Sequence, residues 1–464
     1  MFAKLKITLP LLALPLLFGA ALGLHADFFA LDPGVRGDPA GAGGPIDGLS
    51  ANEKIFFDAG LVAFTEIQDV QGDDPGLGPR FNLDNCAGCH AQPAVGGSSP
   101  FTNPQVAVAT KAGAKNDVPS FIKIDGPVRE ARFKFKPDGT RDGGVHALFT
   151  ITGREDAPGC NISQLPFQVV QKQNNLSFRI PTPVFGTGLI EAIADSTILS
   201  SHAATHTART AMGIIGRENR GRENRTGNDS TITRFGWKAQ NKSLAIFAGE
   251  AYNVEQGVSN ELFQNERDTE ATPLPASCIF NGIPEDHTNF DVLNKPGTSF
   301  ADVASDIVKF EIFMRFLAPP APSCDSFANP AVCPADVQRG RATFDRIGCA
   351  LCHTPQLAVS QSSSAAITNQ GTARLFSDLL VHHMGRRLAD GITQGLAGDD
   401  EFRSAPLWGV GQRIFFLHDG RTKNLVDAIE QHASPGSEAN RVISKFNGLS
   451  TQDKQDIINF LRAL

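Results

Sequence analysis

Two five-residue segments carry the strongest chemistry in this chain: Cys86-Ala-Gly-Cys89-His90 and Cys349-Ala-Leu-Cys352-His353. This is the pattern of covalent c-type haem attachment. Two thiols one helical turn apart can each add to a vinyl group of one porphyrin, and the histidine that follows reaches the iron. Paired zinc knuckles lie about 15–20 residues apart, whereas 260 residues separate Cys89 from Cys349. A redox dithiol needs no histidine directly after it, and certainly not twice. The spacing therefore predicts two covalently bound haems, with Cys86, Cys89, Cys349 and Cys352 as attachment points and His90 and His353 as proximal iron ligands.

Four cysteines remain. Cys324 and Cys333 stand nine apart in a loop containing proline and asparagine, which a local disulfide would close. Cys160 and Cys278 are then left as a long-range pair, although spacing alone does not fix connectivity. Among 464 residues there are 33 phenylalanines and a single tyrosine, Tyr252, so any chemistry requiring a tyrosine has one candidate. The 42 basic and 49 acidic residues give a net charge of −7, which provides no basic field to recruit nucleic acid.

The elements that must hold these residues can be read outward from them. Residues 1–26 have the form of a signal peptide, with Lys4 and Lys6 preceding an apolar run from Ile7 to Leu24. A periplasmic or otherwise exported protein is the expectation, agreeing with haem attachment outside the cytoplasm; a retained membrane anchor is the competing reading. Residues 27–48 read as a linker. Ser50-Ala-Asn-Glu53 is a capping box, with Ile55, Ala59 and Val62 at helical spacing behind it. Pro334 opens a second helix lined by Val337, Phe344 and Ile347, which runs directly into the second motif. A run from Asp302 to Leu317 is helical and stops before Pro319-Pro320. Ser450 begins a closing helix with Ile457, Ile458, Leu461 and Leu464 on one face, suited to packing against the helix that Pro334 opens. Between about 100 and 190 the pattern alternates around Asp138-Gly139, a hairpin signal. GRENRGRENR (216–225) is a polar tandem repeat, expected to be an exposed loop. The predicted architecture is mainly α, with two cytochrome c-like haem domains, 49–318 and 319–464, and a β-rich insertion in the first.

What fills the opposite face of each iron decides function, because two strong axial ligands make an electron carrier and an open face makes a reaction site. His432 shares a helix face with Leu425, Ala428 and Ile429, which is the pattern of a core histidine as much as of a ligand; Met384 competes with it. His202 and His206 are spaced four apart, and without a neighbouring acid they read as a solvated helix face.

The segments SDLLVHHMGRRLADG, EFRSAPLWGVGQRIFFLHDGRTKNLVDAIEQH and FNGLSTQDKQDIINFL, together with both CxxCH motifs, resemble the di-haem oxidoreductases. These are related to the bacterial di-haem cytochrome c peroxidases and to the methylamine-utilisation di-haem enzyme. The resemblance is dense from about 335 to 464 and patchier before it, through CAGCHAQPAVGG, VFGTGLIEAI and RFGWKAQ. In those relatives the sixth ligand of the second haem follows the histidine of FLHDG by fourteen residues, and here that position is His432. The resemblance implies His/His ligation, which gives a lower potential than His/Met. It also implies a distal acid at Glu191, whose plain alternative is an ordinary helix carboxylate. Trp237 would be an electron relay, with a core aromatic as the alternative. Arg421 and Lys423 are candidates for pairing with haem propionates. The next histidine after His90 is His146, so an open or water-bound first haem is expected. The implied activity is peroxidase-like. A small redox protein would deliver electrons at the C-terminal haem, and the N-terminal haem would act on hydrogen peroxide or a small organic substrate. A pure electron-transfer cytochrome and an oxygenase acting on an organic substrate are the alternatives.

Overall fold

The computed structural model describes residues 29–220, 231–265, 274–325, 327 and 329–464. The signal-like segment 1–26 and the half of the tandem repeat from 221 onward lie outside the described residues.

Two helix pairs dominate, and they are built alike. Helix α1 (Ala51–Thr65) starts at the capping box: the Ser50 hydroxyl accepts from the Glu53 amide, and the Glu53 carboxylate accepts from the Ser50 amide at 2.8 Å. Its buried face is Phe57, Gly60, Ala63 and Phe64. This reverses the expectation from spacing, since Ile55 and Val62 lie on the exposed side at 48% and 64% exposure. The aromatic stripe buries more area than the aliphatic one and takes the interface. A second helix, α3 (Asp306–Phe316), receives it, with Phe57 and Phe64 ring centroids 5.3 and 4.9 Å from Phe313. The chains meet at Gly60, where a Cβ would stand 2.4 Å from the Lys309 carbonyl oxygen. The helical run predicted from Asp302 is divided, because Ala304 is extended and Ser305 caps a fresh start.

The C-terminal pair repeats the plan. Helix α4 (Ala335–Ile347) buries Val337, Phe344 and Ile347, as its periodicity predicts, and ends at Gly348 with φ 105°, a conformation that favours glycine. Past the short α5 (Leu425–Glu430), the chain returns in α6 (Thr451–Ala463), which lies against α4 and whose N-cap Ser450 accepts from the Asp453 amide. Here Gly340 is the contact point, with a built Cβ only 1.9 Å from the Asp456 carbonyl oxygen. Phe344 packs edge-on to Phe460 at 5.5 Å. In each pair a phenylalanine of the leading helix also reaches the motif histidine: Phe64 to His90 at 5.9 Å, and Phe344 to His353 at 6.4 Å.

Between these pairs runs α2 (Leu244–Gln256), capped by Ser243 and stopped by Gly257 in the left-handed region. The segment expected to be β-rich contains a hairpin around Asp138-Gly139, but its strands are only two to four residues long. The strand Glu130–Phe133 is central in a three-stranded antiparallel sheet, flanked by Val145–His146 and Leu176–Arg179. A separate two-stranded ladder pairs Val381–His383 with Glu401–Arg403. Disulfides join Cys160 to Cys278, inside a third apolar cluster, and Cys324 to Cys333. Among the described residues no helix is long and apolar enough to cross a membrane.

The glycine contacts give a direct test. Gly340→Ala should force α4 from α6 and cost about 1–3 kcal/mol, the usual penalty of overpacking, read as a lowered urea midpoint; an unchanged midpoint would show that the crossing tolerates a methyl group.

Candidate haem sites

Each motif forms a single tight turn. The His90 amide donates to the Cys86 carbonyl at 3.0 Å, and the His353 amide donates to the Cys349 carbonyl at 2.9 Å. In neither motif do the two cysteines pair with each other. Burial pushes the Cys349 thiol up to about 12 and raises Cys86 and Cys89 as well. Redox dithiols and zinc thiolates need the opposite, a depressed pKa beside a positive group.

Three histidines share one arrangement. His90 Nδ1 donates to the Gly97 carbonyl at 3.0 Å, His353 Nδ1 to Phe376 at 3.1 Å, and His432 Nδ1 to Ala428 at 2.7 Å. A carbonyl only accepts, so Nδ1 must carry the proton and Nε2 keeps its lone pair. Burial lowers the pKa of all three; for His353, burial and then the nearby His432 bring it to about 4. All three are therefore neutral and ready to ligate.

These side chains border two cavities. The larger, about 210 Å³, is walled by Cys349, Cys352, His353 and His432 with Phe344, Phe402, Leu425 and Ala428. The smaller, about 90 Å³, is walled by Cys86, His90, Phe64, Phe247, Tyr252 and several charged groups. Trp237 borders both. Its indole N–H donates to the Ile180 carbonyl at 2.9 Å, and the Ile180 amide donates to the His418 carbonyl at 2.8 Å. The His418 ring stacks on Phe402 and stands edge-on to Trp237, with centroids 4.4 and 6.4 Å apart.

The walls fit a porphyrin bearing carboxylates. Arg403 and Arg413 border the larger cavity without a carboxylate partner among the described residues; Arg403 Nε donates to the Gly236 carbonyl at 3.1 Å, while its Nη1 is buried with no hydrogen bond. Burial lowers Arg413 to about 10, and burial together with the Arg413 charge lowers Arg403 to about 10. Two unpaired cations on an apolar wall call for an anionic ligand. The smaller cavity carries a lesser version, with Arg132 Nε and Gln240 Oε1 unpartnered on its wall.

Residues 129–464 match the family model described as "Di-haem oxidoreductase, putative peroxidase". The chain belongs to the di-haem oxidoreductase family. The first CxxCH motif precedes the matched stretch. Similar solved structures include Kuenenia stuttgartiensis hydrazine synthase, at 18% identity over 34% of this chain and 55% of that one (TM-score 0.22). A MauG-like protein associated with microbial copper homeostasis is similar at 16% identity over 38% and 55% (TM-score 0.26). The di-haem peroxidase BthA from Burkholderia thailandensis is similar at 14% identity over 50% and 65% (TM-score 0.29). The chain thus spans between about half and just under two thirds of these relatives, and such TM-scores carry no argument beyond the family match. No curated protein matches the chain.

Within this di-haem oxidoreductase the sequence-predicted residues fall into two groups. Cys349, Cys352, His353 and His432 come together at the larger cavity and Cys86 and His90 at the smaller, with Trp237 on both; Cys89 packs against the third apolar cluster instead of the cavity wall, and Met384 also borders the larger cavity. Glu191 does not join them. Its carboxylate is bound by Arg315 at 3.0 Å and accepts from the Leu244 amide at 3.0 Å, so it caps and ties helices and borders neither cavity. Arg421 is held by Asp419, and Lys423 donates to the Asp125 carbonyl; neither reaches a cavity wall. His146 stacks on Phe133 and pairs with Asp142, and His202 binds the Ile215 carbonyl. Thr205 breaks the helix between His202 and His206.

Sequence reading missed two constellations. On α2, Phe247, Ala248, Ala251, Tyr252 and Glu255 line the smaller cavity, a one-face helical spacing that could have exposed the acid on it. Glu255 shares a hydrogen bond with Glu130, and burial followed by the Glu130 charge holds it protonated, well above the usual carboxylate range. The second constellation is His382, which lies between two carboxylates: Nδ1 is 2.9 Å from Glu438 and Nε2 3.1 Å from Asp378. Burial opposes its charge, but the Cys352 sulfur and Asp378 more than reverse this, so its pKa stands well above the ordinary value. Burial raises Asp378, yet His382 and Arg209 bring it down to about 2.

His382→Gln leaves Asp378 with Arg209 as its one charged partner and Glu438 with backbone amides only, and should cost about 3–5 kcal/mol. A raised histidine pKa contributes fully below its unfolded value of about 6.5 and fades above it, while Asp378 contributes above about 3.9. Urea unfolding of both proteins should therefore show the widest gap between about pH 4 and 6.5, narrowing as the pH rises; a gap that widens with alkalinity contradicts the charged histidine.

Proposed function

We propose that this protein is an exported di-haem c-type peroxidase, with haem bound through thioethers at Cys86/Cys89 and at Cys349/Cys352. The division into domains 49–318 and 319–464, after a signal peptide, belongs to this reading. The observation that carries it is the pair of CxxCH-walled cavities with Trp237 on the wall of both. Bound there, haem supplies one-electron redox chemistry and an iron that accepts peroxide where a face is free.

The chain's own residues divide the work. His353 and His432 both border the larger cavity with Nδ1 committed to a carbonyl, and together they would hold haem iron there as an electron-transfer site. His90 is the one histidine among the described residues on the wall of the smaller cavity, which favours a site with a face left for substrate. Reducing hydrogen peroxide to two waters consumes two electrons and two protons. Glu255 is the acid positioned to give a proton to the leaving oxygen, a role that needs a group protonated before the step and basic after it. Glu130 holds that proton by hydrogen bond, and Arg132, 3.1 Å from Glu130, balances the charge left behind. Electrons from a small redox protein would enter on the C-terminal side and cross by way of Trp237. The Phe402–His418 stack and the Ile180 carbonyl keep the indole in that position.

Low-temperature EPR of the oxidised protein tests the ligation. One high-spin and one low-spin ferric signal are expected, and His432→Ala should convert the low-spin signal; two low-spin signals in the parent protein would instead indicate an electron carrier. Steady-state peroxide reduction tests the acid: Glu255→Gln should lower kcat/KM by about 10²–10⁴, the usual worth of general acid–base catalysis, with both haems still attached. Activity equal to the parent's would remove Glu255 from the mechanism.

A further inference from the structure

The one tyrosine of this chain is unexplained by ligation, packing or proton transfer. Tyr252 sits on α2, is 3% exposed, and borders the His90 cavity. Its hydroxyl points elsewhere: it donates to Asp306 Oδ2 at 3.4 Å, and Asp306 does not border the cavity. Asp306 is partly exposed and pairs with Lys309 at 2.9 Å. The ring thus spans the distance from a buried redox site to a carboxylate at the surface. Packing alone would be met by phenylalanine, which the chain uses at 33 positions, including Phe310, edge-on to this ring at 5.0 Å. A buried hydroxyl costs free energy unless it is hydrogen-bonded, and here Asp306 is the partner that phenylalanine would not need.

The groups facing the phenol define its chemistry. The carboxyl groups of Asp306, Asp286 and Glu66 lie around it, and burial followed by Asp306 and Asp286 raises its pKa well above the ordinary value. The phenol therefore does not ionise on its own. It has a proton acceptor in contact, so it can lose an electron only together with its proton.

We propose that Tyr252 is a second electron donor to the N-terminal haem site, separate from Trp237. After peroxide has oxidised that site, one electron leaves the Tyr252 ring for it and the phenolic proton passes to the Asp306 carboxylate. The products are a neutral tyrosyl radical and a protonated Asp306. An external one-electron reductant of small-molecule class restores the phenol, with the proton returned from Asp306. Trp237 serves the path toward the C-terminal cavity, whereas Tyr252 leads an oxidising equivalent the other way, to the surface, when no reduced partner is bound. This rests on the peroxidase reading.

The test mixes the fully ferric holoprotein with hydrogen peroxide in the absence of donor, and follows it by optical spectroscopy and freeze-quench EPR. Because the chain has one tyrosine, growth on ring-deuterated tyrosine labels one site. The expected result is an organic radical whose EPR line narrows with the label, disappears in Tyr252→Phe, and falls in yield in Asp306→Asn. An optical change at the haem accompanied by no radical, or by one indifferent to the label, overturns the proposal and leaves the peroxidase reading intact. No optical change on adding peroxide overturns the peroxidase reading, and this proposal with it.

Discussion

A histidine offers a metal one lone pair, and the carbonyl that holds its other nitrogen decides which. At His90, His353 and His432 that carbonyl belongs to Gly97, Phe376 and Ala428, and much of the surrounding structure serves to place those three oxygens. Gly97 is packed too tightly to carry a side chain, since a Cβ there would stand 2.0 Å from the Gln92 carbonyl oxygen. Phe376 adopts φ 51°, unusual for a bulky residue, and its ring is locked between Phe344 and Phe460. The strain at Phe376 is offset by packing on α4 and α6, which connects the Gly340 crossing to the tautomer of His353. Ala428 lies in the short helix after the Asn424 cap, one turn before His432.

The two cavities are held by similar helix pairs and differ in charge. The larger has an apolar wall carrying Arg403 and Arg413, with the His382 cluster beside it; the smaller has Glu130, Glu250 and Glu255 against Arg132 and Arg179. Cations near a redox centre favour its reduced state, and carboxylates favour its oxidised states and hold exchangeable protons. The contrast agrees with one site that passes electrons and one that performs proton-coupled chemistry. Trp237 lies where these two environments meet, and its hydrogen bond to Ile180 fixes it to the end of the strand that supplies Arg179.

What the sequence made legible was local. The CxxCH turns, the Ser50 capping box, the α4 and α6 stripes and the two disulfide pairs depend on neighbours within a few turns or on elimination among few candidates. His432 was reached by resemblance, because its own spacing suits a core histidine equally well. Glu191 stands away from both cavities for a related reason. Its phrase matches, but its carboxylate is needed by Arg315 and by the start of α2, and contacts 124 and 53 residues away are invisible to local pattern. Arg403 and Arg413 carry no local signal in the sequence. Only the folded wall shows that, among the described residues, no carboxylate answers them.

Glu255 and Tyr252 illustrate how one helix face serves two chemistries. They stand three residues apart on α2, and both border the smaller cavity. Glu255 turns toward Glu130 on the sheet, while Tyr252 turns toward Asp306 on α3. The same stretch of backbone therefore presents a proton donor on one side and an oxidisable ring on the other. Two capping devices fix this placement: Ser243 starts the helix in register, and Gly257 ends it where its carbonyl abuts Gly78, too close for any side chain. A shift of one residue would rotate the face by about 100° and carry both side chains off the cavity together. The register of α2 is thus as much a part of the site as the residues that touch it.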